Sequence, residues 1–380
     1  MRIRTHIACA GAGVALALAL PAAAQSVGQT VVGLTQGTNT LVTFPIASPG
    51  TILATIPLTG LAAGDTMRAL DSRPVNGLLY GLATDGSNAV VRLYLVNATT
   101  GAATIVGASV TLPTPATAWD INFNPAVDRV RVVNDQDENA RLVPDNGTLA
   151  GDDANLTASA AVNAVAYTNP FAGTPLTTLY ALNGTTNSLA TIGGINGMPS
   201  PNGGVVTDVG PLGVAFAGAP AALDIASNNV AFAVLRPAGG ATSLYTVNLS
   251  TGAATLVGLV GDGSLAIDDI ALVDPALTVS PPSGTYTARQ NFDVALVANL
   301  QGAGLMSGRA TFNGTDISGI LAGCVRPGTG AGGLTTFRCP NIGGPVVGPG
   351  THTFTVRLQS TTGGVVQRTV VWTVIAATEP

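Results

Sequence analysis

The chain has 380 residues, of which 46% are hydrophobic, 9% charged and 4% aromatic, with 48 glycines and 24 prolines. All 15 basic residues are arginine, and the 20 acidic ones include only Glu138 and Glu379 as glutamates, for a net charge of −5. Without lysine there is no Schiff-base amine and no phosphate-binding P-loop lysine. His352 is the only histidine beyond residue 24, which excludes a His-rich zinc site. It sits in an alternating strand pattern rather than a nucleophile motif, which argues against a Ser–His–Asp triad.

Residues 1–24 have the three parts of a secretory signal. Arg2 and Arg4 form the charged end, Ile7 to Leu20 the apolar stretch, and Ala22-Ala23-Ala24 a small-residue cleavage site. Pro21 interrupts the run before it reaches the about 20 apolar residues of a membrane span. Cleavage leaves 356 residues, enough for two domains, with 13 arginines against 20 acids and a net charge of −7. That field repels phosphate backbones and anionic lipid, so neither nucleic acid nor membrane insertion after cleavage is expected. The mature protein is expected to be periplasmic or extracellular. Cys324 and Cys339 are then expected to pair in an oxidising compartment. Closing a loop of that size would contribute about 3 kcal/mol.

Between residues 25 and 275 one phrase recurs. Leu93-Tyr94-Leu95-Val96-Asn97-Ala98-Thr99-Thr100-Gly101 returns as Leu244-Tyr245-Thr246-Val247-Asn248-Leu249-Ser250-Thr251-Gly252, and more loosely from Leu179 to Asn187. Each copy reads as strand, polar turn, strand. A second phrase, beginning near Met67, recurs near Ala118, Val162, Ala222 and Ala266, at intervals of 44 to 60 residues. Four strands per unit at that period predict a β-propeller. Four units are complete, and the fifth has only its first strand, Ala266 to Leu272. Its missing strands are available at Thr30–Leu34, Thr40–Phe44 and Thr51–Ile56. The expectation is a five-bladed propeller over 25–275 whose closing blade is shared by both ends, which removes the open edge. A β-sandwich or solenoid is the alternative.

These hairpins resemble exported bacterial proteins catalogued as domain of unknown function 4394. So do Leu70-Asp71-Ser72-Arg73-Pro74 and Asn122-Phe123-Asn124-Pro125-Ala126-Val127-Asp128-Arg129-Val130-Arg131-Val132-Val133. The resemblance covers about residues 28–274, and the Asn-Pro-x-x-Asp-Arg-x-Arg-Val-Val run is its most specific piece. The family usually has Asp where Asn122 stands. The resemblance implies export and a repeat β-fold, and brings no catalytic residues with it.

Ser280-Pro281-Pro282-Ser283-Gly284 marks a boundary. Beyond it, Phe292, Val294 and Leu296, then Phe354, Val356 and Leu358, then Val370, Trp372 and Val374 alternate with period 2. Residues 276–380 are therefore expected to form an immunoglobulin-like β-sandwich, with Trp372 in its core and His352 solvated at a strand end. The fold class is all-β throughout.

The expected first strands each carry a polar residue: Asp71, Asp120 with Asn122, Asn163, Asp224, and Asp268 beside Asp269. First strands line a propeller's channel. Asp71, Asp120, Asn122, Asn163, Asp224 and Asp268 are therefore candidate ligand-binding residues for a cation or polar ligand. The opposing reading is that each carboxylate accepts backbone N–H groups. Asp135, Asp137 and Asn139 imitate the start of a calcium loop, but Ala140 and Asn146 stand where its Gly and Glu belong, so a hairpin turn competes. No cofactor is expected apart from this possible Ca2+. Tyr80, Tyr94, Tyr180 and Tyr245 occupy repeat positions and should pack between blades. Trp119, Tyr167, Phe171, Phe216 and Phe337 are less constrained, a thin supply of stacking surfaces for sugars. The function these features favour is a non-catalytic binding or scaffold role at the envelope, with an extracellular polysaccharide or an envelope protein as partner. One alternative is an Asp-dependent polysaccharide hydrolase or lyase, and another is a structural matrix or surface-layer component.

Overall fold

The computed structural model describes residues 30–74, 77–116, 118–157, 161–170, 174–216, 221–226, 229–273, 277–280, 284–287, 294–299, 305–322, 334–339, 348–360 and 365–376. The signal segment, Phe171 and Cys324 lie outside these residues, as do the side chains of Cys339, Asn163 and Phe337. Within them the chain is all-β, and its only helical elements are three short 3-10 turns.

Five antiparallel sheets follow one another up to residue 273. The first contains β1 (Thr30–Thr35), β2 (Thr40–Pro45) and β3 (Ala54–Pro57). The second contains β4 (Thr66–Ser72), β5 (Leu79–Thr84), β6 (Val90–Val96) and β7 (Ala103–Ile105), with β8 (Val110–Thr111) beside β6. The third contains β9 (Trp119–Asn124), β10 (Arg129–Asn134), β11 (Asn139–Leu142) and β12 (Leu149–Asp152). The fourth contains β13 (Val162–Tyr167), β14 (Leu179–Asn183), β15 (Ser188–Ile192) and β16 (Val206–Pro211). The fifth contains β17 (Ala221–Ile225), β18 (Ala231–Leu235), β19 (Ser243–Val247) and β20 (Ala254–Leu259). Finally β21 (Ile267–Val273) returns to pair with β1, so the first sheet has the order β21-β1-β2-β3 and joins both ends of the region.

The strands β21, β4, β9, β13 and β17 lie side by side in that order, and β17 closes on β21. An apolar layer fills each space between successive sheets. Val32 and Leu41 of the first sheet meet Met67 and Tyr94 of the second. Leu82 and Leu93 of the second meet Ile121 and Phe123 of the third. Val133 of the third meets Val165 and Leu179 of the fourth. Leu182 and Leu189 of the fourth meet Leu223 and Ala233 of the fifth. Phe232 and Val234 of the fifth meet Val31 and Phe44 of the first. Strands covered on both faces carry continuous apolar runs rather than alternation, and β14, β15, β17 and β18 are buried at every position. The outer strands β3, β16 and β20 are largely exposed or half-buried instead.

The glycines of the peripheral turns, in the Thr-Gly pairs at 101 and 252 and the Asn-Gly pair at 147, have a specific use. Gly101 has φ +75° and lies against the Pro57 carbonyl of the preceding sheet. Gly147 (φ +67°) meets the Val106 carbonyl, and Gly252 (φ +81°) meets the carbonyl of Gly210 in the same way. At each of these sites a Cβ would fall well inside contact distance, so the turn demands glycine twice over, for its dihedral and for the approach. Gly252→Ala is therefore expected to cost about 1–3 kcal/mol, read as a drop in the thermal midpoint. Gly37→Ala has a similar φ of +64° but open space around it, and should cost about 1 kcal/mol.

Beyond residue 276, β22 (Leu277–Ser280), β23 (Gly284–Thr287), β24 (Val294–Asn299), β25 (Leu305–Phe312), β26 (Thr315–Asp316), β27 (Leu334–Cys339), β28 (Gly350–Ser360) and β29 (Val365–Ile375) make two further sheets. Their orders are β22-β24-β27 and β23-β29-β28-β25-β26. Phe354, Val356, Leu358, Val370, Trp372 and Val374 are buried, and the Trp372 indole stacks on Phe354 at 5.6 Å. His352 is half-buried, stacks on Phe312 at 5.4 Å, and hydrogen-bonds Asn313 and the Gly348 carbonyl.

Candidate functional site: a buried carboxyl ring and its arginine clamps

The innermost strand of each sheet has one edge without a ladder partner, and its N–H groups there need acceptors. Four aspartates supply them. Ser72 N–H donates to Asp71 Oδ1 at 2.7 Å, and Phe123 N–H of the next sheet donates to its Oδ2 at 2.5 Å. Asp120 accepts from Ile121 (2.7 Å) and from Val165 of the next sheet (2.5 Å). Asp224 accepts from Ile225 (2.7 Å) and Leu272 (2.6 Å), and Asp269 from Ile270 (2.7 Å) and Leu70 (2.6 Å). Each carboxyl thus joins its own strand to the following one. Asn122 adds a parallel link by accepting from Tyr167 N–H at 2.9 Å. Asn163 stands on β13, between the strands of Asp120 and Asp224.

All four aspartates are nearly sealed from solvent, with 5%, 2%, 7% and 1% exposure for Asp71, Asp120, Asp224 and Asp269. Burial drives each of Asp71, Asp120 and Asp269 well above the ordinary carboxylate range. The Asp224 charge adds to this at Asp71, and Asp120 adds to it at Asp269, while the backbone donors oppose it.

Sequence reading placed Asp268 in this set, whereas Asp269 makes the ring contacts. Asp268 is half-buried and lies near Gln36, Gly37 and Arg68. Burial raises it to about 6, and the Arg68 charge opposes the rise. A pKa raised on folding contributes stability below an unfolded carboxyl's range, and that stability is lost as pH climbs through about 6. A carbon-13 NMR titration should therefore give the Asp268 carboxyl a midpoint near 6, and Asp268→Asn should remove the corresponding acid-side gain.

Two arginines clamp the same sheets farther out. Arg73 forks onto Asp128, Nε to Oδ1 at 2.9 Å and Nη2 to Oδ2 at 2.5 Å, while Nη1 reaches Asp145 at 2.6 Å. Arg131 is 1% exposed and bonds Asn139 (2.8 Å), Asp153 (2.6 Å) and, on the fourth sheet's 3-10 turn, Asn202 (2.7 Å). Arg141 is paired directly opposite Arg131 in the ladder, a repulsive arrangement on its own. Asp153 sits between them and takes a fork from Arg141 at 2.7 and 2.8 Å. The two motifs quoted for the family resemblance therefore meet in space. Arg73 and Asp71 of one reach Asp128 and Phe123 of the other.

Of the calcium-loop candidates, Asn139 is already engaged by the protein. Asn139 is fully buried; its oxygen faces the Arg131 guanidinium, and its amide donates to the Ala154 and Pro201 carbonyls. An oxygen already facing a cationic donor is a poor ligand for Ca2+. Asp135 and Asp137 flank the turn, and burial raises the Asp135 carboxyl. Among the described residues no group of three or more His, Cys, Asp or Glu side chains is placed to hold a metal.

Trp119 is core rather than surface: it is 3% exposed, and its indole N–H donates to the Ala116 carbonyl at 2.8 Å. Tyr167 and Phe216 are equally buried. Tyr80, Tyr94 and Tyr180 are buried, and Tyr245 is half-buried at the edge of the layer between the fourth and fifth sheets. No helix among the described residues is long and apolar enough to cross a membrane.

No curated protein matches the chain. Among solved structures, it is 10% identical to the extracellular domain of a hybrid two-component system from B. thetaiotaomicron, with a TM-score of 0.32. That match covers 90% of this chain and 54% of the other, so this chain spans about half its length. An exo-β-1,3-galactanase from Phanerochaete chrysosporium is 12% identical over 89% of both chains, with a TM-score of 0.36. A nidogen/laminin complex gives 9% identity over 65% of this chain and 98% of that one, with a TM-score of 0.39. Likenesses this faint carry no argument about activity. The family comparison is of another kind: its model matches residues 40–271, more than half of the chain, and takes in the carboxyl ring and both arginine clamps. The chain belongs to the family described as Domain of unknown function (DUF4394).

Proposed function

We propose that this is an exported, non-catalytic binding or scaffold protein of the cell envelope. In this reading residues 25–275 form a five-bladed β-propeller, and residues 276–380 an immunoglobulin-like sandwich with a Cys324–Cys339 disulfide. The cyclic order of first strands and the five apolar layers support the propeller. Two sheets with alternating burial along β28 and β29 support the sandwich.

One observation carries the functional reading. The carboxyls that could have supplied acid–base chemistry each spend both oxygens on backbone N–H groups, at no more than 7% exposure. Glycoside hydrolysis needs two carboxyls flanking a substrate, and these flank backbone. Recognition then falls to the loops at the two mouths, and the net charge disfavours nucleic acid. The partner class is an extracellular polysaccharide or an envelope protein.

The test is purified residues 25–380 on a glycan array with calcium present, run beside a turnover assay on the same glycans. Saturable binding without turnover is the expected result. Turnover that disappears in an Asp71→Asn/Asp224→Asn protein that is still folded would overturn the reading in favour of a hydrolase or lyase. Concentration-dependent self-association with no ligand would overturn it in favour of a structural matrix component.

A further inference from the structure

The ring poses a charge problem that backbone donors alone do not solve. Four carboxyls, carried by the adjoining inner strands β4, β9, β17 and β21, are at most 7% exposed. The neighbouring arginines are engaged elsewhere. Arg73 is held by Asp128 and Asp145 and Arg131 by Asp153, while Arg68 donates to Thr84 and Asn88 beside Asp268. Asn122, the other polar side chain of β9 here, is neutral. Each of the four is fastened to an adjoining inner strand of the same closed ring, so their charges share one dry site. Like-charged carboxyls in a shared dry site cannot all ionise.

We propose that the ring is a proton-loaded closure: the protein folds with protons held among Asp71, Asp120, Asp224 and Asp269, and their loss loosens the ring. This goes beyond the binding role proposed above and does not depend on it. Folding takes up protons here, so the ring's contribution to stability is greatest in acid and falls as pH rises from about 4, where an unfolded carboxyl titrates, towards the alkaline range. That is the reverse of a protein held by ionised carboxylates, which loses stability on acidification. The direction agrees with burial pushing Asp71, Asp120 and Asp269 upward.

The experiment is urea unfolding of residues 25–380 across a pH series, in EDTA and in excess Ca2+. The folding equilibrium constant should fall roughly tenfold per pH unit for each proton released in the window. The Asp268→Asn protein should lose only Asp268's own part of that slope, which ends near 6, and keep the slope above it, while Asp120→Asn/Asp269→Asn should flatten the slope there. Should the double variant fail to fold, infrared spectroscopy of the wild-type protein gives an independent reading. Protonated-carboxyl C=O bands should persist at neutral pH in D2O and vanish only at alkaline pH. Stability that is flat or rises with pH would overturn the proposal, and so would absence of those bands at neutral pH. A slope abolished by Ca2+ at neutral pH would also overturn it, because the ring would then hold a cation in place of protons.

Discussion

Arg131→Ala is expected to lower the unfolding free energy by about 3–5 kcal/mol, the range for removing one partner of a buried ionic network. The guanidinium is 1% exposed and serves three acceptors on two sheets: Asn139, Asp153 and Asn202. Removing it strands the Asn139 and Asn202 oxygens and leaves Asp153 with Arg141 alone. Arg141 does not substitute, because its side chain is 26% exposed and its Nε and Nη2 already bond Asp153. The internal control is Arg309–Asp316, whose side chains are 68% and 53% exposed. Breaking that pair should cost no more than about 1 kcal/mol. Urea midpoints for Arg131→Ala, Arg141→Ala and Arg309→Ala should therefore fall out in that order of severity. Equal losses for the first and last would mean that the clamp is dispensable.

Asp224→Ala should be comparably damaging, at about 2–6 kcal/mol, because it orphans the N–H groups of Ile225 and Leu272 together at about 1–3 kcal/mol each. Asp224→Asn discriminates between the two jobs of this side chain. The amide keeps one oxygen acceptor and turns an NH2 towards the other donor, so it should recover only part of the loss. It also carries no charge, so whatever like-charge repulsion Asp224 exerts on Asp71 disappears. At high pH the Asn variant should lie closer to wild type than at low pH, a convergence measurable by urea unfolding at the two extremes. A loss confined to ligand binding, with unchanged stability, would show that the carboxyl is a site rather than a fastener.

The periodic features were legible in the sequence because they are local. The Thr-Gly turns at Gly101 and Gly252 recur since each places a glycine against the edge of the preceding sheet, and the first-strand aspartates recur since each inner edge needs acceptors. What sequence reading missed depends on register or on long separation. Asp268 and Asp269 are adjacent, and only one can face inward; a register shift between Leu34 and Thr35, opposite the start of β21, obscures which. Arg73 and Asp128 are far apart in the chain and carry no local sign of pairing. Arg131 and Arg141 look like ordinary exposed strand residues until Asp153 and Asn202 are seen to converge on them. Trp119 had no repeat partner to mark it as core, although its position at the start of β9 places it between sheets.

The first sheet also determines how the protein bears load. Thr30 pairs with Val273, so the chain enters and leaves this sheet at the same end of neighbouring antiparallel strands. Ladder hydrogen bonds in such a pair run perpendicular to the strands. Tension applied between the N-terminal side and the segment that continues into β22 therefore loads those bonds one after another from the Thr30–Val273 end, like a zip, instead of all at once in shear. The join that closes the circle is thus its mechanically weakest line. A tug on the C-terminal sheets would open the protein there while the other four sheets stayed intact.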